Sequence, residues 1–145
     1  MRVGGDQIEF EVTSDERIGG LAAAEVRIPP GGGPPALHRH EAAEIYRIER
    51  GELSFYLADE AGEIRRSTVG QGETVAIAGG REHTVRNESG YEALAFAVYA
   101  PGARMEAFAH AAASLAEAGP PTPEGVGAVA AEHGIEITRP LDSVR

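Results

Sequence analysis

His38, His40 and Glu44 fall within the run HRHEAAE, and His83 lies in the later run GREHTVRN. Imidazole nitrogens and a carboxylate oxygen are the donors that a borderline divalent transition metal prefers, so these four residues are candidate ligands for Fe, Mn, Ni, Co, Cu or Zn. Side chains alternate faces along a β-strand, which puts His38 and His40 on one side about 7 Å apart and turns Arg39 to the other. Glu44 shares their parity, and a strand or bend through Glu41 to Ala43 brings its carboxylate to the same side. His83 must come from a neighbouring strand. Three imidazoles and one carboxylate leave room for water or substrate, and an open position separates a catalytic metal from a structural one. An H-x-H pair taken alone is more often surface decoration, so the elements that position it decide the matter.

Those elements read as strands. Gly (19) and Pro (9) punctuate short runs in which apolar and polar residues alternate. Ile8, Phe10 and Val12 form one such set, and Ala24, Val26 and Ile28 another. Tyr46 with Ile48, Leu53 with Phe55 and Leu57, and Val75 with Ile77 follow. His83, Val85 and Asn87 share one parity, and Leu94, Phe96 and Val98 share another. Many short strands with turns between them predict a β-sandwich or barrel. After Ala100 the pattern changes. Met105, Phe108, Ala112 and Leu115 recur at helical spacing from Arg104 to Ala118, and Gly119-Pro120-Pro121 ends the run. Thr122-Pro123-Glu124 reads as an N-cap with proline at the first helical position of a second, shorter helix that stops at Gly134. Ile135 and Ile137 suit a last strand, leaving Leu141 to Arg145 as a frayed tail.

Composition narrows the partners. The 145 residues suit one domain, and the net charge of -10 would repel phosphate backbones and anionic lipid surfaces. No nucleic-acid or membrane partner is expected. Without cysteine there is no disulfide framework and no thiolate chemistry, so a metal must be held by nitrogen and oxygen. MRVGGDQIEF lacks the basic-then-apolar layout of a signal peptide, and no apolar run reaches the length of a membrane span; the expectation is a soluble cytoplasmic protein.

The glycines around the candidate ligands sharpen the reading. Gly32, His38, His40, Glu44 and Gly51 fit G-x5-H-x-H-x3-E-x6-G at every fixed position. Gly72, Gly80, His83 and Asn87 fit G-x5-P-x-G-x2-H-x3-N, with Ala78 where proline is expected. In these two motifs the chain resembles the small single-domain bacterial cupins. The resemblance implies an all-β fold, a cupin jelly-roll barrel with short C-terminal helices: a barrel over residues 1–100 and a helical extension over 101–145 packed on it as one domain. It also implies His38, His40, Glu44 and His83 as ligands of a metal inside the barrel. Ala78 replaces a turn-setting proline, a change of about 0.5 kcal/mol through the unfolded state that removes no ligand.

The C-terminal run is similar to that of cupins in the quercetin-dioxygenase-like group. That resemblance implies a dioxygenase acting on a small enolisable or flavonol-like substrate, with Glu44 as ligand and base and Tyr46, of the same parity, as a second catalytic residue. Cupins also include isomerases, lyases and plain binding proteins, so a keto- or hydroxy-acid isomerase or lyase and a non-enzymatic ligand-binding barrel stand beside it. Arg27, Arg39 and Arg47 have outward parity, which favours an apolar substrate. His110 and His133 fall on the predicted helices, away from the motifs, and Asn87 reads as a strand-end fastener. Small cupins are commonly homodimers, and the strand at Ile8 to Val12 is the expected pairing edge.

Overall fold

A computed structural model describes residues 1–15 and 19–145. The chain forms β1 (Arg2–Val3), β2 (Asp6–Val12), β3 (Ala22–Ile28), β4 (Ala36–Arg39), β5 (Ala43–Arg50), β6 (Glu52–Ala58), β7 (Ile64–Gly70), β8 (Thr74–Ile77), β9 (His83–Arg86) and β10 (Ala93–Ala100). Helices α1 (Ala103–Glu117) and α2 (Pro123–Glu132), strand β11 (Glu136–Pro140) and a 3-10 turn (Leu141–Ser143) complete it. The strands make two antiparallel sheets, a six-stranded one ordered β1-β2-β3-β10-β5-β8 and a five-stranded one ordered β11-β4-β9-β6-β7. This is the expected jelly-roll barrel.

The barrel's filling follows the alternation in most strands. Val26, Ile28, Ile48, Leu53, Phe55, Ile77 and Val85 lie buried between the sheets. β10 forms where its alternation predicts, but its buried face is Ala93, Ala95, Ala97 and Tyr99, while Leu94, Phe96 and Val98 point outward and keep partial exposure. Small residues line the inside here because Tyr46, Tyr99, Phe55 and the site side chains already occupy the space.

α1 runs where the 3.6-residue spacing predicts. Its N-cap, Gly102, has no side chain to cap the helix, and a Cβ there would collide with Ala22. Met105 packs on the barrel core. α2 is capped by Thr122, whose hydroxyl accepts a hydrogen bond from the Gly125 amide at 3.0 Å, with Pro123 opening the helix. α1 packs against β1 and α2, and α2 packs against β11, so the helices bridge edge strands of the two sheets.

The tail differs from expectation. Leu141 to Arg145 is not frayed: Leu141 is 1% exposed, packed with Leu37 and Tyr56 against the outside of the five-stranded sheet. An ion pair from Arg145 to Glu88 at 2.6 Å fastens the segment, and one from Arg139 of β11 to Glu82 at 2.9 Å holds the strand that leads into it. β7, polar in four of its seven residues and at the sheet edge, carries too little alternation to be read from sequence. Among the described residues no helix is long and apolar enough to cross a membrane.

Candidate metal centre

The two motifs meet in the barrel interior because their strands are neighbours. His38 on β4 is the direct antiparallel partner of His83 on β9. His40 follows β4, and the bend after it delivers Glu44 to the inner face of β5. The ring centroids of His38 and His83 are 4.5 Å apart, those of His40 and His83 5.0 Å, and those of His38 and His40 5.8 Å. One nitrogen of each ring can be chosen so that all three lie within 4.8 Å of one another. Glu44 lies beside two of them, its Oε2 2.8 Å from His83 Nε2 and 3.8 Å from His40 Nε2. His40, Glu44 and His83 are all buried, and His38 is half-buried.

Each ring is oriented the same way. Nδ1 of His38 lies 3.0 Å from the Ala36 carbonyl, Nδ1 of His40 2.9 Å from Ala42 O, and Nδ1 of His83 2.7 Å from Arg81 O. A carbonyl only accepts, so each Nδ1 carries a proton, and in the neutral ring Nε2 is left as a lone pair. That is the tautomer a metal ligand needs, fixed by the backbone. With the rings neutral, His40 Nε2, His83 Nε2 and Glu44 Oε2 are buried with no hydrogen-bond partner. Each such atom costs about 1–3 kcal/mol while unsatisfied, and a single cation between them would satisfy all three. The residues present therefore fit a divalent metal ion.

The electrostatics point the same way. Burial, reinforced by the charge of His83, lowers the His38 imidazole to about 4, and burial also lowers His40, so both are neutral donors at neutral pH. Burial opposes charge on His83 and Glu44 too, but their mutual attraction prevails, holding His83 above and Glu44 below their ordinary values. With Nδ1 committed to a carbonyl, the 2.8 Å approach of His83 Nε2 to a carboxylate requires a positive centre on or between them. A proton serves, and so would a metal ion.

Tyr46 projects inward beside Glu44, as its parity predicts. Tyr99 joins it, a residue that sequence reading did not single out. Tyr99 stands directly across from Glu44 in the β10–β5 register, and its ring meets Tyr46 edge-on at 6.5 Å. Both phenols are buried, and burial together with the Glu44 charge raises both well above their ordinary values. The available signal was the odd-numbered parity of β10, masked by the larger apolar residues of the opposite parity.

Two backbone features hold the ligand loop. The Gly80 amide donates to the His40 carbonyl at 2.7 Å, and a Cβ at Gly79 would strike the Glu41 carbonyl oxygen. Ala78, in the proline position, still supports the turn, its carbonyl accepting from Arg81 N at 3.2 Å. The remaining candidates lie apart from the cluster. His110 is exposed and stacks on Phe10 at 6.2 Å, and His133 caps α2 with Nδ1 2.8 Å from Val129 O. Asn87, fully buried, donates to Ile28 O at 2.8 Å and Tyr91 O at 2.7 Å, and accepts from Ser89. It is a strand-end fastener. Arg27, Arg39 and Arg47 face outward as expected.

Two sheets closed around a histidine cluster define a class, and comparison with known proteins places the chain in it. The model of the cupin domain family matches residues 24–99, and the protein is a member of that family. It is 33% identical over 125 residues to a germin-like protein of rice (Oryza sativa subsp. japonica), covering 86% of this chain and 52% of that one. The chain thus spans about half the length of this curated relative. Among solved structures it resembles an oxalate oxidase, with TM-score 0.57 and 24% identity over 68% of this chain and 52% of the other. It also resembles a cupin barrel protein from Salinispora arenicola, with TM-score 0.55 and 18% identity over 68% of this chain and 79% of the other. At these identities the structural likeness establishes the fold.

Proposed function

We propose that this cupin is a metal-dependent oxidoreductase whose substrate is a small organic molecule with one ionisable hydroxyl or enol, and that His38, His40, Glu44 and His83 hold the metal. The observation that carries this reading is the convergence of three imidazoles, each anchored at Nδ1 by the backbone, with a buried carboxylate beside two of them. When bound, the metal would supply a Lewis-acidic site for the substrate oxygen and an electronic link to dioxygen.

The chain's own residues supply the rest. Glu44, kept ionised by its imidazole neighbours, accepts the substrate hydroxyl proton. Tyr46 and Tyr99, held as neutral phenols, offer hydrogen bonds to the deprotonated oxygen. Leu53, Phe55 and Ile48 give an apolar wall that excludes water.

Charge favours this class over a dicarboxylate such as the oxalate named for the structural relatives. The chain has no lysine, and among the described residues no arginine is buried. A second carboxylate would have no cationic side chain inside the barrel, whereas a flavonol or enol needs none. The test is oxygen uptake by metal-loaded protein against flavonols, small enolisable acids and oxalate. Uptake with the first two supports the reading. Turnover of oxalate alone, or of a keto or hydroxy acid without oxygen uptake, contradicts it.

A further inference from the structure

The register of the five-stranded sheet extends the histidine pair into a longer row. Ile137 of β11 stands opposite His38 of β4, His38 opposite His83 of β9, and His83 opposite Leu57 of β6. Directly opposed residues in antiparallel strands share a face, so two candidate ligands lie side by side on the inner face with an aliphatic residue on either flank. Both flanks reach solvent. Ile137 is 44% exposed, Leu57 is only partly buried against the core, and His38, next to Ile137, is the least buried of the four candidate ligands.

A bulge holds Ile137 in that row. The register shifts between Ile137 and Arg139, so Arg139 comes opposite Leu37, a residue of the outer face, and does not follow Ile137 onto the inner one. The Thr138 hydroxyl reaches the Leu37 carbonyl at 3.0 Å and the Glu82 carboxylate, and Arg139 donates to the two Glu82 oxygens at 3.1 and 2.9 Å. Glu82 directly precedes His83, so the residue that leads into one candidate ligand also fixes the strand that carries Ile137. The cation is turned outward, and an isoleucine is left beside the cluster.

We propose, resting on the reading of His38, His40, Glu44 and His83 as metal ligands, that Ile137 and Leu57 are specificity-determining residues: they hold the apolar body of the substrate on the two sides of its reacting oxygen. Contact there is favourable because it removes both aliphatic side chains from water. Ile137 and Leu57 are three strand spacings apart, about 14 Å, a span suited to a flat molecule of linked rings and not to a two-carbon acid. Beyond Leu57 the row ends on Arg65 of β7, which is exposed and paired with Asp59 at 2.8 Å. The cation in the row therefore stands outside the aliphatic pair and already has its counter-charge.

Equilibrium binding to the metal-loaded full chain, followed by probe absorbance and fluorescence, tests the proposal with two probes that share a hydroxypyranone head: the parent flavonol, with a flat aromatic body, and maltol, without one. The wild type should prefer flavonol. Ile137→Ala should cut that preference about tenfold, and Leu57→Ala likewise, with metal content unchanged by elemental analysis and folding confirmed by far-UV circular dichroism. Ile45→Ala, equally exposed but on the outer face, should leave the preference intact. Because the chain has no cysteine, Ile137→Cys gives a second readout: flavonol should slow its alkylation by N-ethylmaleimide, and maltol should not. A preference that Ile137→Ala or Leu57→Ala leaves intact, a cysteine at 137 that flavonol does not protect, or metal-loaded wild type that binds no flavonol overturns the proposal and leaves the metal site standing. A wild type that takes up no metal overturns both.

Discussion

The side chains at the candidate centre have been committed in advance by the backbone. Each histidine spends its Nδ1 proton on a carbonyl within two residues, Ala36 for His38, Ala42 for His40 and Arg81 for His83. Ligand direction is thus set by local chain geometry, which does not depend on distant packing. Replacing one ring should then remove a ligand without unfolding the barrel: His40→Ala should lose most of its metal by elemental analysis while keeping the wild-type circular dichroism. Gly79→Ala acts differently, since its methyl would strike the Glu41 carbonyl beside the ligand loop. It should destabilise the protein by about 1–3 kcal/mol in urea unfolding and weaken metal binding without touching a ligand. Tyr99→Phe removes a hydroxyl across from Glu44 but no ligand. It should leave metal content unchanged and lower kcat.

Elements rather than single residues determine what could be read in advance. The H-x-H pair, Glu44 and His83 were legible because parity and motif spacing are local, and the structure confirms the step they left open, that β4 and β9 are neighbours. Tyr99 was not legible. In β10 the residues of highest hydropathy, Leu94, Phe96 and Val98, lie on the outer face, and hydropathy alone assigns such residues inward. The tail was misread because Leu141 is a single apolar residue in a polar run, and its burial depends on Leu37 and Tyr56 far away in sequence. The ion pairs that hold β11 and the tail carry a pH dependence. Glu82 is held below its ordinary value of 4.5, chiefly by Arg139, and Glu88 is held below it by Arg66 and Tyr56 despite partial burial. Carboxyls lowered in the folded state stabilise it above about pH 4.5 and lose that contribution as pH falls through their folded values. The thermal-stability advantage of wild type over Glu82→Gln should therefore be full at neutral pH and shrink in acid below that point. Leu141→Ala should cost about 2–5 kcal/mol.

At the scale of the whole molecule the jelly roll supplies a buried interior, and the chain places His40, Glu44 and His83 there with donor atoms that a cation would satisfy. The helices bridge the edge strands of the two sheets beside this interior, and the tail seals one outer face. The central claim is that His38, His40, Glu44 and His83 hold a metal, and the direct measurement is metal per chain by elemental analysis after purification and after reconstitution with Fe, Mn, Ni, Co, Cu or Zn. About one ion per wild-type chain, lost in His40→Ala and in His83→Ala, is the predicted result. A wild-type chain that takes up no stoichiometric metal, or histidine variants that retain it, would contradict the account.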